Sequence, residues 1–237
     1  MITILHILCE GSTEELFTKN ILQPHLSTFD IVTKPSILVT NRKKNMRGGV
    51  ISYAQVLNDL RKTYQLTSHS NSEIHYFTTM LDFYALPNDF PAYNNAITKN
   101  DIYLQVETLE KAFRQDANDI PHFIPYIQLH EFEALVFCGL DHLKNEYTTC
   151  SREIEQLKEV LAHYQNNPEA IDNGRETAPS KRIITALKGK SQYNKTKSGP
   201  AVASAIGLQA LRERCRHFNH WITELEQLSP QSPSVRR

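Results

Sequence analysis

Apolar residues recur along this chain in two spacings. Residues 2–9, ITILHILC, form a near-continuous run of β-branched and aliphatic side chains ending at Glu10-Gly11, the pattern of a buried strand closed by a turn. Directly after it, Leu16, Phe17, Ile21 and Leu22 fall at helical spacing, which predicts a helix with Thr13 as its cap and Pro24 as its stop. The alternation then repeats. Residues 35–40 read as a second strand, 41–49 as a basic loop and 50–64 as a helix. Residues 73–81, EIHYFTTML, make a third strand of high β propensity that ends at Asp82. A helix over 97–113 and a shorter strand over 123–129 follow, and Pro125 places that strand at an edge or a bulge.

Strands and helices alternating at this length predict an α/β fold, a mainly parallel sheet flanked by helices. Beyond residue 137 the pattern turns helical, at 154–164, 180–187 and 208–228, with polar loops at 170–178 and 188–200. The expected organisation is an α/β core over 1–140, a helical extension over 141–228 packed on it, and a frayed tail over 229–237.

Length and composition narrow the class. The 237 residues suffice for one substantial core, and 40% hydrophobic with 22% charged residues exclude a disordered chain. Twenty-six basic residues cancel twenty-six acidic ones, so any polyanion site must be local. Residues 31–58 carry Lys34, Arg42, Lys43, Lys44 and Arg47 without an acid, and residues 175–200 carry seven Lys or Arg against Glu176. Such stretches suit phosphate, with solvated loops as the plain alternative. The four cysteines form no CxxC, which excludes a zinc ribbon and fits a reducing cytoplasm. No apolar run reaches the roughly 18 residues of a membrane helix, so no membrane partner is expected.

In open parallel sheets the loops at the strands' carboxyl ends converge on one crevice. Acidic residues stand at three such places: Glu10 with Glu14, Asp82, and Glu131 with Glu133. Carboxylates gathered from separate segments repel one another and resist desolvation, costs that Mg²⁺ or Mn²⁺ offsets. Each also has a plain reading. Glu14 complements a helix dipole, Asp82 caps a turn, and Glu131 or Glu133 opens a solvated helix. The apolar positions Phe132, Leu135 and Val136 put Glu131 and Glu133 on different helix faces, so one ion does not easily take both, and Glu131 is favoured by position. Ser180 is expected to cap a helix whose first turn holds Lys181 and Arg182, cations that oppose the dipole unless an anion binds there. Arg42, Lys43, Arg182, Lys195 and Lys197 are candidate phosphate-binding residues. His130 is a candidate general base or, equally, a structural histidine.

Strand-Glu10-Gly11-Ser12-Thr13-Glu14, followed by Met80-Leu81-Asp82-Phe83-Tyr84, resembles the Toprim domains of topoisomerases, primases and overcoming-lysogenization-defect-type nucleases. The nuclease branch is the closer match, since it places a second Glu four residues after the first, as Glu14 is here. That branch has Asp-x-Asp where this chain has Asp82-Phe83-Tyr84, so a complete second metal shell requires that Asp89 or Glu131 supply the missing oxygen. The phrases LDFYALPNDFP, IQLHEFEALVF, TAPSKRI and KSGPAVASAIGL also resemble a family of small bacterial Toprim-like proteins described as domains of unknown function. The resemblance implies a lysine late in the chain that stabilises the transition state, for which Lys181 is the first candidate and Lys195 and Lys197 the next. It also implies a link to antiphage or mobile-element loci, with a P-loop ATPase encoded nearby as partner. A topoisomerase-type tyrosine nucleophile lies on another domain, which leaves Tyr84 and Tyr193 as weak candidates for that role.

The expected function is therefore a Mg²⁺- or Mn²⁺-dependent phosphodiesterase or nuclease acting on DNA or RNA. Glu10, Glu14, Asp82, Glu131 and Glu133 would be its metal-centre carboxylates. The alternatives are a non-catalytic subunit of an ATPase system and a module that binds nucleic acid without cutting it. A homodimer is compatible with either.

Overall fold

The computed structural model describes residues 2–41, 46–47, 49–50, 52–67, 72–171, 174 and 176–229. Its first half runs β1 (Ile2–Cys9), α1 (Ser12–Phe17), α2 (Gln23–Ser27), β2 (Ile31–Ile37), β3 (Val39–Asn41), β4 (Met46–Arg47), α3 (Tyr53–Gln65) and β5 (Glu73–Asp82). There follow α4 (Tyr93–Ala96), α5 (Ile102–Asp116), β6 (Phe123–Ile124), β7 (Ile127–Gln128), α6 (Glu133–Phe137) and α7 (Leu140–Glu146). The chain closes with α8 (Ser151–His163), α9 (Pro179–Leu187), α10 (Lys195–Ile206), α11 (Leu208–Arg214) and α12 (Arg216–Glu226).

The fold is α/β. Its main sheet has five strands in the order β2-β1-β5-β6, with β7 also on β5, and every pairing in it is parallel. β1 lies between two strands and is buried on both faces, which is why ITILHILC is apolar almost throughout. Leu5, Ile7, Cys9 and Met80 face one cluster, filled by α1, α2 and the C-terminal helices; Leu8, Phe77 and Leu81 face another, filled by α3 and α5. Trp221 of α12 fixes the helical region to the sheet by stacking on Tyr126 at 4.1 Å and donating its indole N–H to Thr78 Oγ1 at 3.0 Å.

Several boundaries differ from the sequence reading for local reasons. Pro24 does not stop the first helix. The chain passes through a π-helical turn, Thr18–Leu22, and Pro24 enters the first turn of α2, where a missing N–H costs least. Gly11, not Thr13, is the N-cap of α1. β2 begins at Ile31, and Pro35 is tolerated within it because the strand is an edge. The strand expected over 123–129 is broken at Pro125-Tyr126. Thr79 Oγ1 spans the gap, accepting from Tyr126 N at 3.0 Å and donating to Tyr126 O at 2.9 Å.

The helix expected from 97 starts at Ile102, where the Asp101 side chain accepts from Tyr103 N at 2.8 Å. The polar loop expected over 188–200 gives way at residue 195 to α10, with Asn194 as N-cap and Pro200 inside. The helix expected over 208–228 divides at Cys215, which is extended, and the buried Glu169 carboxylate caps α12 by accepting from His217 N and Phe218 N at 2.9 Å each.

α7 and α10 approach closely at Gly139. A Cβ there would stand 2.7 Å from Val202 Cγ1, on a β-branched side chain with little freedom to yield. Gly139→Ala is expected to destabilise the protein by about 1–3 kcal/mol through overpacking, read as a lower urea midpoint at unchanged m-value.

Candidate metal centre

β1 and β5 are adjacent and in register, Cys9 opposite Met80, so the residues following them leave the sheet side by side. Glu10 N donates to Met80 O at 3.0 Å, and Glu10 Oε2 accepts from Asp82 N at 2.9 Å. One turn into α1, Glu14 folds back to accept from Gly11 N at 2.8 Å. On the other side of β5, Gln128 pairs with Asp82, which brings Leu129-His130-Glu131 to the same edge. Glu131 Oε1 accepts from Ser180 N, in the first turn of α9, at 2.5 Å. Lys195 Nζ, from the start of α10, reaches both Glu131 Oε2 at 3.1 Å and Glu133 Oε2 at 3.3 Å.

The acidic residues proposed from sequence thus come together from three stretches of the chain at one edge of the sheet, close enough to repel one another. Glu14, Glu131 and Glu133 are 5%, 4% and 2% exposed, and Asp82 Oδ1 and Glu133 Oε1 are buried with no hydrogen-bond partner among the described residues. Burial drives Glu10 up to about 7 against the opposing Asp82 N–H bond, with Glu14 and Glu131 adding to the rise. Burial likewise raises Glu133 to about 7, against the pull of Lys195. Glu14 rises by burial, and Asp82 rises well above the carboxylate range by burial and by repulsion from Glu10, Glu14, Glu131 and Glu133. Burial alone would depress Lys195, but Glu133 and Glu131 outweigh it and carry its pKa up to about 12. Were all five acids ionised, the centre would hold more negative charge than the one ammonium bonded there among the described residues offsets. Among the described residues, no three His, Cys, Asp or Glu side chains are already set around an ion-sized space.

The apolar spacing predicts Glu131 and Glu133 on different faces of one helix. Glu131 instead precedes α6, after His130 at a φ of +62°, and both carboxylates meet the same ammonium. Ser180 does not cap α9 with its side chain. Ala178 is the N-cap, and the anion at this helix start is the protein's own Glu131.

Lys181 stands next to Ser180 and is half-buried, while Arg182 Nε donates to Thr177 O at 2.6 Å, a backbone tie. Lys197 is exposed in the first turn of α10. It is Lys195, ranked behind Lys181 as the late lysine, that bonds the acidic centre. His130 is buried and its Nε2 bonds Glu169 O at 2.8 Å, the structural arrangement weighed above. Asp89 is exposed and accepts from Tyr53 N at 3.1 Å, so of the two residues considered for the missing oxygen only Glu131 is at the centre. Arg42 and Lys43 lie outside the described residues. Sequence reading missed Glu169, whose capping of α12 joins residues far apart in the chain, and gave Tyr193 only a nucleophile's role.

These features define a parallel α/β protein with a carboxylate centre at the carboxyl edge of its sheet. The chain belongs to the family described as a domain of unknown function, DUF4276, whose model matches residues 9–226 and so spans every carboxylate of the centre. No curated protein and no solved structure matches it. No helix among the described residues is long and apolar enough to cross a membrane.

A carboxyl group whose pKa is raised on folding binds its proton more tightly in the folded state. Glu10 and Glu133, each moved from 4.5 to about 7, therefore favour folding below that window, and their contribution is lost as pH rises through it. The metal-free protein is expected to show a higher urea midpoint near about pH 5 than near about pH 7.5. Glu133→Gln should flatten that slope and stabilise the metal-free protein at neutral pH by about 1–2 kcal/mol.

Proposed function

We propose that this protein is a Mg²⁺- or Mn²⁺-dependent phosphodiesterase acting on nucleic acid, built on a Toprim-like core. The observation that carries the reading is the convergence of Glu10, Glu14, Asp82, Glu131 and Glu133, with two buried carboxylate oxygens, Asp82 Oδ1 and Glu133 Oε1, left without a partner. Buried charge of one sign is tolerated where a hard cation offsets it, and oxygen-only ligands suit magnesium or manganese. Asp82 and Glu133 would hold the ion, with Glu10 and Glu14 completing the set and Glu131 standing in for the acid that Tyr84 replaces. When bound, the ion supplies Lewis-acid stabilisation of the charge that develops during phosphoryl displacement.

The chain's own groups supply the rest. Lys195 brings a positive charge to the same rim, 44% exposed along its side chain and so open to an incoming phosphate. Lys181 and Lys197 stand close along the chain to groups that bond Glu131, and they extend the cationic border for a polyanion. The resemblance further suggests a neighbouring P-loop ATPase and a defence or mobile-element setting. One observation favours the rival reading of a non-catalytic subunit: Lys195 already pairs with Glu131 and Glu133 as a cation would.

Purified protein incubated with plasmid, single-stranded DNA and RNA over a Mn²⁺ titration separates the two. Metal-dependent cleavage that falls at least about 100-fold in Glu10→Gln and Asp82→Asn is the expected result. Salt-sensitive binding to these nucleic acids without cleavage in either metal would assign the protein to the rival class.

A further inference from the structure

The donors around the acidic centre are mostly engaged. Asp82 N serves Glu10, Gly11 N serves Glu14, Ser180 N serves Glu131, and Lys195 Nζ is divided between Glu131 and Glu133. Tyr193 differs. It precedes α10 by two residues, is 8% exposed, and its hydroxyl is buried with no hydrogen-bond partner among the described residues.

The surroundings hold that hydroxyl in place. Tyr147 OH bonds Ser198 Oγ at 2.7 Å and lies 3.4 Å from Asn194 N, which anchors the segment on either side of Tyr193. Gly199 carries no side chain where a Cβ would stand 3.5 Å from the Tyr193 oxygen and 3.1 Å from the Phe132 ring, and Phe132 is the residue between Glu131 and Glu133. Glu133 is the charge that acts most strongly on the phenol, after burial, in keeping it protonated. A protonated phenol is a hydrogen-bond donor and a poor cation ligand. An unsatisfied buried hydroxyl costs stability, so its retention against the Phe132–Gly199 contact, where the Glu133 charge reaches it, points to an acceptor that arrives with a ligand.

We infer that the Tyr193 hydroxyl donates a hydrogen bond to a phosphoryl oxygen of the anion bound at the carboxylate centre. Tyr193 is thus a substrate-binding donor working beside Lys195, with no covalent role. The inference rests on the phosphodiesterase reading, since it needs a phosphate at this centre.

The test uses the full chain and its Tyr193→Phe variant, with Mn²⁺ affinity measured by calorimetry and inorganic phosphate binding by Mn²⁺-induced broadening of the ³¹P resonance. A hydrogen bond to a charged acceptor corresponds to about a tenfold or greater change in affinity. Tyr193→Phe should therefore bind Mn²⁺ as the parent does, within about twofold, bind phosphate about tenfold or more weakly, and unfold at the same or a higher urea concentration. Equal phosphate binding by both proteins overturns the Tyr193 assignment and leaves the metal reading standing; a bridging water to Glu133 would give that result. A variant that loses stability and Mn²⁺ affinity together shows a structural hydroxyl and also overturns it. A parent protein that binds no Mn²⁺ overturns both readings at once.

Discussion

Three parallel strand ends lying side by side determine the chemistry available to this molecule. β1 and β5 pair in register, β7 continues the pairing on the far side of β5, and the acidic residues that follow them have nowhere to diverge. The bond from Asp82 N to Glu10 Oε2 ties two of these ends together. Apolar packing on both faces of the sheet holds the strands in this relation, so repulsion among the carboxylates cannot be relieved by letting the ends part. The tension is borne partly by backbone N–H groups and Lys195, and partly by protonation. Such an arrangement gives up stability locally, which a protein retains where a ligand restores it.

Much of the layout was legible in the chain because the relevant signals are local. The run ITILHILC and the β-branched stretch ending at Asp82 report strands buried on both faces, and polar residues straight after such strands fall at the sheet's carboxyl edge by topology alone. Pro125 marked an edge or a bulge in the last strand, though not that the strand would break there and Thr79 replace the missing ladder bonds. What escaped depends on contacts between distant segments. Lys195 and Lys181 look alike as residues; only the packing of α10 against α1 and α6 places the first ammonium on the carboxylates. Asn194 is a sound helix cap in sequence, but the polar run 188–200 reads as a loop and masked α10. The assumption that residues 131–137 form one helix misplaced Glu131, because the backbone reversal at His130 is invisible to periodicity.

The carboxylates at the centre are not equivalent, and their hydrogen bonds rank them. Glu131 is the most committed, with one oxygen on the first turn of α9 and the other on Lys195. Glu14 closes its own helix through Gly11 N, and Glu10 gives one oxygen to the backbone of β5. Removing any of these three acids would strip a backbone donor of its acceptor as well as the centre of a charge, so structural and chemical effects would arrive together. Asp82 Oδ1 and Glu133 Oε1 have no such duty. An oxygen buried without a donor gains most from an incoming cation, since the ion relieves a desolvation cost already incurred and displaces no existing bond. By that reasoning Asp82 and Glu133 are the acids at which the proposed divalent ion would be gripped. The other three would border that ion, and Lys195, bonded to Glu131 and Glu133, would set how much negative charge remains for it to meet.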